Sequence, residues 1–533
     1  MCGVASWGTE DLSMSASPAN LDARYRTIPD LLREHACERP DNLAVVAGDQ
    51  ALSYSELDEL ADRVAASLQR DAIGPGDAIA ICAHSSIRYV AVFLGALRAG
   101  AAVVPLPPSL PSDVMALLLA NSQARYLFAD AAALPALAGQ GGTTQCIALS
   151  NEVPGQAFEA WMLGEHAHPA PVDLPPEAPF NIIYSSGTTG EPKGIVQPHA
   201  MRWAHVCRGA KFGYGHDTVT LLATPLYSNT TLVVLFPTLA FGGTVVLAAK
   251  FDAAQYLALA ERYRMTHTML VPVQYQRIMS LPQFHAYDLA ATRMKFCTSA
   301  PFSAQLKADV LQRWPGGLVE FYGLTEGGGT CILAAHERPD KLHTVGRPAP
   351  GHDIRVIDDA GRELPLGATG EVVGNSPAMM MTGYHGRPDK TRETEWFDAS
   401  GKRFLRTGDI GRFDDEGFLV LLDRKKDMLI TGGFNVYPSD LETVLRRHIE
   451  IADAAVVGVP SRQWGETPIG FVVLRAGCTQ TEAQLLQWVN ARVGKVQRLA
   501  RLQIVDELPR NAIGKVLKRE LRERHVASGL EPT

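Results

Sequence analysis

A glycine- and hydroxyl-rich stretch at residues 184–194 (Tyr-Ser-Ser-Gly-Thr-Thr-Gly-Glu-Pro-Lys-Gly) carries the residue types that bind anions. It follows residues 180–183 (Phe-Asn-Ile-Ile), which predict a short buried strand. Glycine permits a tight turn with open backbone N–H groups, while the hydroxyls and Lys193 add donors and a positive charge. The stretch therefore predicts a loop that binds the phosphates of a nucleotide. It is not a Walker loop, because Gly194 follows Lys193. A flexible surface loop is the alternative.

Further motifs follow this loop in the chain. They lie at residues 297–301 (Cys-Thr-Ser-Ala-Pro), 320–326 (Glu-Phe-Tyr-Gly-Leu-Thr-Glu), 406–409 (Arg-Thr-Gly-Asp), 432–438 (Gly-Gly-Phe-Asn-Val-Tyr-Pro) and 509–515 (Pro-Arg-Asn-Ala-Ile-Gly-Lys). Together with the loop they resemble the signatures of the adenylate-forming enzymes, which include acyl-coenzyme A synthetases, peptide-synthetase adenylation domains and firefly luciferases. The resemblance extends from about residue 25 to about residue 525.

The resemblance implies a nucleotide site built from several of these motifs. The phosphates would be bound by Ser185, Ser186, Gly187, Thr188, Thr189, Gly190 and Lys193. The adenine pocket and the α-phosphate would be contacted by Ser299, Ala300, Pro301, Glu320, Phe321, Tyr322, Gly323 and Thr325, with Tyr322 stacked on the base. Asp409 and Arg424 would bind the ribose, although relatives usually carry glycine where this chain has Asp423. An aspartate turn after a strand is the alternative for Asp409.

The same resemblance assigns catalytic roles to Thr188, Glu326, Lys426 and Lys515. Glu326 would ligate Mg²⁺, which prefers hard oxygen ligands. The Lys515 ammonium would offset charge on the phosphorus under attack. Lys426 falls on the hinge position. An exposed acid in a turn is the alternative for Glu326, and a solvated linker at Lys426 is compatible with a hinge.

The acyl pocket is the least determined part of the site. By the resemblance it would be lined by Tyr227, Ser228, Asn229, Thr298, Gly323 and Gly328. Many relatives place histidine or an aromatic ring at the position of Ser228, so a wider pocket for a hydrophobic acyl or aryl acid is expected. Thr298 and Ser299 stand where glycines are common, which changes the shape of the pocket.

The acceptor of the acyl group is expected to be coenzyme A. The residues that resemble its binding site are Gly432, Gly433, Phe434, Trp464 and Arg498. A core position is the alternative for Trp464. No carrier-protein serine motif follows Lys515, so we expect no peptide-synthetase module, but the enzyme could load a separate carrier protein.

Composition limits the class of protein. The 533 residues predict more than one domain, and 46% hydrophobic with 20% charged residues is typical of a globular protein. A formal charge of -7 gives no reason to expect a nucleic-acid partner. The eight cysteines lack metal-ligand spacing and predict thiols in a reducing, cytoplasmic compartment. No signal peptide is visible, and the apolar residues 231–249 predict a buried helix, a turn and a strand rather than a membrane span.

The fold predicted is α/β. Alternating strands and helices up to about residue 345 predict parallel sheets covered by helices, and short strands beyond it predict a β-rich lobe. We expect a disordered tail at 1–22, an N-terminal domain at 23–423, a hinge at 424–427 and a small mobile α+β domain at 428–533. The helix after the first strand pair is predicted to begin with Ser55 as its N-cap. A monomer or a homodimer is expected.

These inferences predict an AMP-forming acid–coenzyme A ligase that uses ATP, Mg²⁺, coenzyme A and a small carboxylic acid. Three alternatives stay open at this point: a stand-alone adenylation enzyme that serves a carrier protein, a luciferase-like oxygenase, and a nucleotide-binding regulatory protein without catalysis. The presence of both Glu326 and Lys515 argues against the last.

Overall fold

The computed structural model describes residues 24–137, 144–185, 192–431, 434–461, 463–475, 477–511 and 514–527. The helices are α1 (Ile28–Glu38), α2 (Tyr54–Arg70), α3 (Ile87–Ala99), α4 (Ser112–Ser122), α5 (Leu134–Leu137), α6 (Phe158–Trp161), α7 (His199–Gly209), α8 (Asn229–Ala240), α9 (Ala253–Arg262), α10 (Pro272–Met279), α11 (Ala304–Arg313), α12 (Pro388–Glu393), α13 (Pro438–Arg446), α14 (Glu482–Asn490) and α15 (Lys518–Ala527).

The strands alternate with these helices in the first part of the chain and dominate later. Up to residue 348 they are β1 (Leu43–Ala47), β2 (Gln50–Ser53), β3 (Ala78–Cys82), β4 (Ala102–Pro105), β5 (Tyr126–Ala129), β6 (Gln145–Ala148), β7 (Gln156–Ala157), β8 (Pro179–Ser185), β9 (Lys193–Pro198), β10 (Val219–Leu222), β11 (Thr244–Leu247), β12 (His267–Leu270), β13 (Met294–Cys297), β14 (Gly317–Gly323), β15 (Thr330–Ala334) and β16 (Arg347–Pro348). The later strands are β17 (Asp353–Ile357), β18 (Gly370–Asn375), β19 (Gly383–Tyr384), β20 (Glu395–Phe397), β21 (Arg403–Phe413), β22 (Leu419–Arg424), β23 (Leu429–Thr431), β24 (Phe434–Val436), β25 (Ile451–Ser461), β26 (Gly465–Leu474) and β27 (Arg501–Ile504).

Two large, mostly parallel sheets form the N-terminal part, as the alternation of strands and helices predicts. One has the order β16-β15-β14-β13-β12-β10-β11-β1-β2 and the other β19-β9-β8-β4-β3-β5-β6-β7. Strands β3, β4, β5 and β12 are buried along their whole length, because helices or the other sheet cover both faces. Residues of α2, α3 and α8 fill one apolar core together with strands of both sheets.

Two smaller sheets complete the molecule. The β-rich lobe has the order β17-β18-β21-β20, with β22 paired to β21, and its strands are antiparallel. The C-terminal part has the order β24-β23-β26-β25, with β27 parallel to β26 and with α13 and α14 against its core. The predicted fold class, with a small α+β C-terminal part, is therefore confirmed.

The beginning of α2 differs from the prediction. Ser53, not Ser55, is the N-cap: its hydroxyl accepts from the backbone N–H of Glu56 at 3.3 Å, and the Glu56 carboxylate accepts from the Ser53 N–H at 2.8 Å. The Ser55 hydroxyl instead donates to the Pro40 carbonyl at 3.0 Å. Ser53 serves as the cap because its backbone is extended (φ −72°, ψ 172°), whereas Ser55 already belongs to the helix.

The apolar stretch at 231–249 folds as predicted. Helix α8 passes through Pro237 and ends at Ala240, Gly242 turns the chain at a φ of +78°, and β11 follows. Across the described ranges, no helix is long and apolar enough to cross a membrane.

A buried ion pair fixes β14 against α11. Lys307 on α11 pairs with the carboxylate of Glu320 on β14, and both side chains are buried. The Lys307 ammonium also donates to the carbonyls of Leu342 and Thr344 at 2.8 and 3.0 Å. Burial raises the pKa of Glu320, and Lys307 opposes that shift. The pair therefore fixes the strand that leads into the motif at 320–326.

We expect Lys307→Met to lower the free energy of unfolding by about 3–5 kcal/mol, because it leaves the Glu320 carboxylate buried without its cation. Chemical denaturation of the purified variant measures the change. The double variant Lys307→Met/Glu320→Gln removes the buried charge as well and should recover part of the loss. Equal instability of the single and double variants would show that the unpaired carboxylate is not the cause.

Candidate active site

The predicted phosphate loop joins two paired strands. β8 and β9 are antiparallel, and Ser185 lies opposite Lys193, so both ends of the loop are fixed at one edge of the sheet. Gly194 has no room for a side chain, since a Cβ there would lie 2.9 Å from Ile182 Cγ2. The loop residues predicted to bind phosphate lie outside the described residues, and their roles stay predictions; they are Ser186, Gly187, Thr188, Thr189 and Gly190.

A tyrosine that the motifs do not include links the end of this loop to Glu326. The Tyr384 hydroxyl donates to Glu326 Oε1 at 2.9 Å, and the Lys193 ammonium lies 5.4 Å from the centroid of the Tyr384 ring. Tyr384 is on β19, which pairs with β9. Burial, followed by Glu326, raises the pKa of Tyr384, so the phenol stays protonated. Tyr384 thus contacts one carboxylate through its hydroxyl and one cation through its ring.

The two residues predicted to bind the ribose lie together in the structure, and their role stays a prediction. Asp409 Oδ2 accepts from the Tyr322 hydroxyl at 2.8 Å, and Asp409 Oδ1 lies 2.9 Å from Arg424 Nε. Asp409 and Arg424 face each other across β21 and β22. The Asp409 side chain is buried, and burial raises its pKa, while Arg424, Tyr322, Lys515 and Lys426 oppose the shift.

Lys515 reaches this cluster from the C-terminal part. Its backbone N–H donates to Asn511 Oδ1 at 2.9 Å in a tight turn. Gly514 has a φ of +77°, and a Cβ there would lie 2.5 Å from Val273 Cγ1, so only glycine lets the turn approach α10 this closely. Burial lowers the pKa of Lys515 to about 8, helped by Arg424 and Lys426 and opposed by Asp427 and Asp409. The turn that carries Lys515 therefore packs against α10 and lies near the residues predicted to bind the ribose.

The predicted hinge follows directly on the ribose residues. Arg424 is the last residue of β22, and the exposed Lys426 lies in the connection to β23. Asp423, which replaces the usual glycine, has a local function: its Oδ2 accepts from the backbone N–H of Ser439 at 2.9 Å, in the first turn of α13. Although the side chain is exposed, partial desolvation by its neighbours lowers the pKa of Lys426, and Asp427 opposes that shift.

The residues predicted to line the adenine and acyl pockets follow β13 or lie on β14, and side-chain hydrogen bonds hold two of them in place. Thr298 Oγ1 donates to the Phe321 carbonyl at 2.8 Å, and Ser299 Oγ lies 2.6 Å from Thr230 Oγ1 on α8. Ser299 has a φ of +80°, the region that favours glycine, which accounts for the glycine common in relatives. The Glu320 carboxylate forms an ion pair with the buried Lys307, so the side chain of this predicted nucleotide residue faces the core. Ala300 is partly buried, and Pro301 and Gly323 are exposed.

The predicted acyl residues Ser228 and Asn229 begin α8. Ser228 is the N-cap, since its hydroxyl accepts from the Thr230 N–H at 3.3 Å. Asn229 Oδ1 accepts from Arg202 Nη2 at 2.9 Å, and Tyr227 before them is partly buried. Gly328 is buried: a Cβ there would lie 2.9 Å from Leu405 Cβ, so packing alone explains this glycine.

Two polar residues near this pocket carry no motif and were missed by sequence reasoning. Gln197 Nε2 donates to the Thr325 carbonyl at 2.6 Å, next to Glu326. Arg202 on α7 donates to Asn181, Gln197 and Asn229 and is only 1% exposed. An arginine between the apolar residues Met201 and Trp203 was the available signal.

The predicted acceptor residues lie on the C-terminal part. Phe434 on β24 is 61% exposed, Arg498 is exposed, and Trp464 is partly buried rather than a core residue. Gly432 and Gly433 lie outside the described residues. These roles stay predictions.

The donor set around Glu326 is compatible with magnesium. Within the described ranges, no three His, Cys, Asp or Glu side chains form a metal site. Mg²⁺ is usually bound by one or two carboxylates together with substrate phosphates. Glu326 follows β14, and among the described side chains its carboxylate accepts a hydrogen bond from Tyr384 through Oε1, so it fits that arrangement.

Known proteins share this whole architecture. A fatty acid–[acyl-carrier-protein] ligase, ScoC, from Streptomyces coeruleorubidus is 32% identical over 515 residues, which cover 94% of this chain and 97% of that protein. A feruloyl-CoA synthase from an Amycolatopsis species is 32% identical over 497 residues, which cover 91% of this chain and 96% of that protein. The structure of the amide bond synthetase McbA from Marinactinospora thermotolerans superposes with a TM-score of 0.82 at 28% identity and covers 93% of this chain and 99% of that one.

Family assignment rests on both parts of the chain. Residues 32–385 match the family described as AMP-binding enzyme, and residues 440–515 match the AMP-binding enzyme C-terminal domain. The first match ends close to Tyr384, and the second ends at Lys515. With the geometry above, these matches show that the chain belongs to the AMP-binding enzyme family of the adenylate-forming superfamily.

Proposed function

We propose that this protein is an AMP-forming carboxylic acid–coenzyme A ligase acting on an acid with an apolar acyl or aryl body. The observation that supports it best is the position of Lys515 beside the Asp409 cluster. A cation from the C-terminal part meets the ribose residues there, while Glu326 and Lys193 lie at the end of the phosphate loop. This is the arrangement that attack on an α-phosphate requires.

In the first half-reaction a carboxylate oxygen of the acid attacks the α-phosphorus of ATP. The bond from this phosphorus to the bridging oxygen breaks, and pyrophosphate leaves. Asp409 binds the ribose hydroxyls, which fixes the α-phosphate near Lys515, and the ammonium offsets the charge that develops there. When bound to Glu326 and the phosphates, Mg²⁺ supplies further neutralisation of charge.

In the second half-reaction the thiol sulfur of coenzyme A attacks the acyl carbonyl, the bond to the AMP oxygen breaks, and AMP leaves. The thiol proton passes to solvent. An ordinary thiol pKa of about 8.5 leaves a small thiolate fraction at neutral pH, which suffices against so activated an ester. Rotation at Lys426 removes Lys515 and brings residues 432–434 to the adenylate.

A separate carrier protein is the second candidate acceptor. One relative of nearly full-length similarity is a fatty acid–[acyl-carrier-protein] ligase. A carrier presents the same kind of thiol, so the first half-reaction is common to both candidates. Only the second half-reaction distinguishes them.

Pyrophosphate release from a panel of acids, with and without coenzyme A, tests the proposal. We expect release with bulky apolar or aryl acids at a higher kcat/KM than with acetate, and a thioester only when coenzyme A is present. Glu326→Gln should reduce release by roughly 10²–10³-fold with the fold intact, as expected when a group that stabilises developing charge is lost. Near-normal turnover of a folded Glu326→Gln variant would contradict the proposed role of Glu326. An acyl adenylate that reacts only with a carrier protein would contradict coenzyme A as the acceptor.

The charge of Lys515 predicts the pH dependence of adenylation. Its pKa is lowered to about 8 in the free enzyme, so the ammonium is present below that pH and lost above it. We expect kcat/KM for ATP to fall as the pH rises through about 8, because kcat/KM reports groups of the free enzyme. Lys515→Arg keeps the charge and should lose this decline. An unchanged alkaline decline in Lys515→Arg would assign it to another group.

The two lysines should affect different half-reactions. Lys515→Ala removes a cation needed only while phosphorus is attacked, and we expect a loss of roughly 10²–10³-fold in adenylation. Lys426→Pro fixes φ and deletes a donor where the chain must rotate, so it should still form the adenylate but fail to pass it on.

Single-turnover kinetics of each half-reaction measure both effects, with acyl adenylate supplied to Lys515→Ala for the second step. Lys425→Pro is not a suitable control, because its N–H donates to the Gly408 carbonyl at 2.8 Å. Lys426→Ala, which keeps backbone freedom, is the matched control and should retain both steps better than Lys426→Pro. Equal damage to both half-reactions in Lys515→Ala and Lys426→Pro would overturn this division.

A further inference from the structure

Three basic residues lie on one face of α7. Arg202, His205 and Arg208 are spaced by three residues, which places them one above the other on a helix. Arg202 is 1% exposed and His205 is 5% exposed, while Arg208 is partly buried. Among the described residues, the ribose cluster makes no hydrogen bond or ion pair with them, so they need a separate explanation.

This face borders the predicted acyl pocket. At one end Arg202 contacts Asn229, the first residue of α8, through a 2.9 Å bond. At the other end the Arg208 guanidinium lies 4.5 Å from the centroid of the Phe321 ring, on the strand that leads to Thr325. The α7 face therefore lies between the beginning of α8 and the end of β14, both of which carry predicted acyl-pocket residues.

A second histidine closes the far side of this region. His352 Nδ1 accepts from the backbone N–H of Thr330 at 2.9 Å, directly after the glycines at 327–329. Arg208 is near enough to contribute to the lowering of the His352 pKa to about 4, which is caused first by burial. His205 is affected in the same way: burial, then Arg208, Arg202 and His352, holds its pKa well below its usual value. Both histidines are therefore neutral at pH 7, and the charge of this face comes from the two arginines.

The two arginines have no counter-ion in the part of the chain that the structure describes. Arg202 donates from Nε and Nη2 to amide oxygens of Asn181, Gln197 and Asn229, all of them uncharged. Its Nη1 is buried without an acceptor among the described residues. None of the ion pairs found there includes Arg202 or Arg208, whereas Arg98 and Arg424 each pair with aspartate. Burial lowers the pKa of Arg202 to about 9 and that of Arg208 to about 10.

A buried cation without a partner destabilises a protein, and functional sites are where such charges are retained. We propose that Arg208 and Arg202 bind a second carboxylate at the far end of the acid substrate, so that this enzyme prefers dicarboxylic acids with an apolar body. The inference rests on the proposed function and specifies its substrate class. A planar guanidinium presents paired N–H donors that match the two oxygens of a carboxylate.

The geometry assigns different roles to the two arginines. Arg208 lies over the face of Phe321, a cation–π contact that fixes the plane of its guanidinium, and no described residue accepts a hydrogen bond from it. It is the principal ligand. Arg202 is held by three amide side chains and has only Nη1 to offer, so it adds one donor nitrogen and a fixed charge. The apolar body of the acid then lies between the phosphate site and this face, beside Phe321 and Tyr227.

The first test uses the wild-type enzyme and acids matched in length and body. Each set consists of a dicarboxylic acid, the acid in which an amide replaces the distal carboxylate, and the acid in which a methyl group replaces it. We expect kcat/KM for pyrophosphate release to be on the order of 10- to 100-fold higher for the dicarboxylic acid than for either analogue, as for a hydrogen bond to a charged group. An amide analogue as good as the dicarboxylic acid would overturn recognition by charge, and a preferred methyl analogue would overturn the inference altogether.

The second test changes the ligand residue. Arg208→Met keeps the length of the side chain without the charge and should reduce the preference for the dicarboxylic acid by roughly 10- to 100-fold. Arg208→Lys keeps the charge but not the planar fork and should retain part of the preference. Lys211→Met removes an exposed cation one turn further along the chain and serves as the control, with the preference unchanged.

Circular dichroism and AMP binding check that each variant is folded. If Arg208→Met does not fold, the acid panel with the wild-type enzyme still tests the inference. A folded Arg208→Met with undiminished preference would overturn the inference. If monocarboxylic acids are good substrates and dicarboxylic acids are poor ones, this inference is overturned while the proposed function stands. Absence of pyrophosphate release with every acid would overturn the proposed function as well.

Discussion

The Asp409 carboxylate holds the site together. One of its oxygens accepts from Tyr322 on the nine-stranded sheet, and the other pairs with Arg424 at the end of the lobe. The charge of Lys515 reaches it from the C-terminal part. A carboxylate buried to this degree is costly unless cations and donors surround it. The three parts of the chain therefore converge where that charge must be compensated.

The phosphate side of the site is organised around Tyr384 instead. Its strand pairs with β9, which begins at Lys193, and its hydroxyl holds Glu326. A movement of β19 would thus displace the Glu326 carboxylate and the Lys193 ammonium together. Asp409 and Tyr384 belong to different sheets. A nucleotide bound with its ribose at Asp409 and its phosphates near Tyr384 would therefore connect the two sheets.

Local patterns explain why so much of the fold could be predicted. The alternation of strands and helices in the N-terminal part could be predicted because strands such as β3, β4, β11 and β13 are short apolar runs. The predicted N-cap of α2 was wrong by two residues. Ser53 and Ser55 are equally good caps by residue type, and only the backbone conformation decides between them. Local sequence does not contain that information.

The parts of the site that were missed depend on contacts between distant segments. Tyr384 acquires its position from the pairing of β19 with β9, and Arg202 acquires its surroundings from β8, β9 and α8. Glu320 was predicted among the nucleotide residues, and nothing in the sequence indicates that its carboxylate pairs with Lys307 on another element. Motif residues such as Asp409 and Lys515 could be placed together because a whole family pattern, rather than spacing alone, connects them.

The bond from Ser439 to Asp423 joins the first turn of α13 to the end of β22. A carboxylate that accepts from a helix N-terminus is stabilised by the N–H group and by the helix dipole, together on the order of 1–3 kcal/mol. In the proposed mechanism this bond exists while Lys515 is at the ribose cluster, and rotation of α13 away from β22 breaks it. A chain with glycine at 423 lacks it. Aspartate at this position therefore links the position of α13 to the ionisation of one carboxylate, because burial raises the pKa of Asp423 while Lys518 and the N–H of Ser439 oppose that shift.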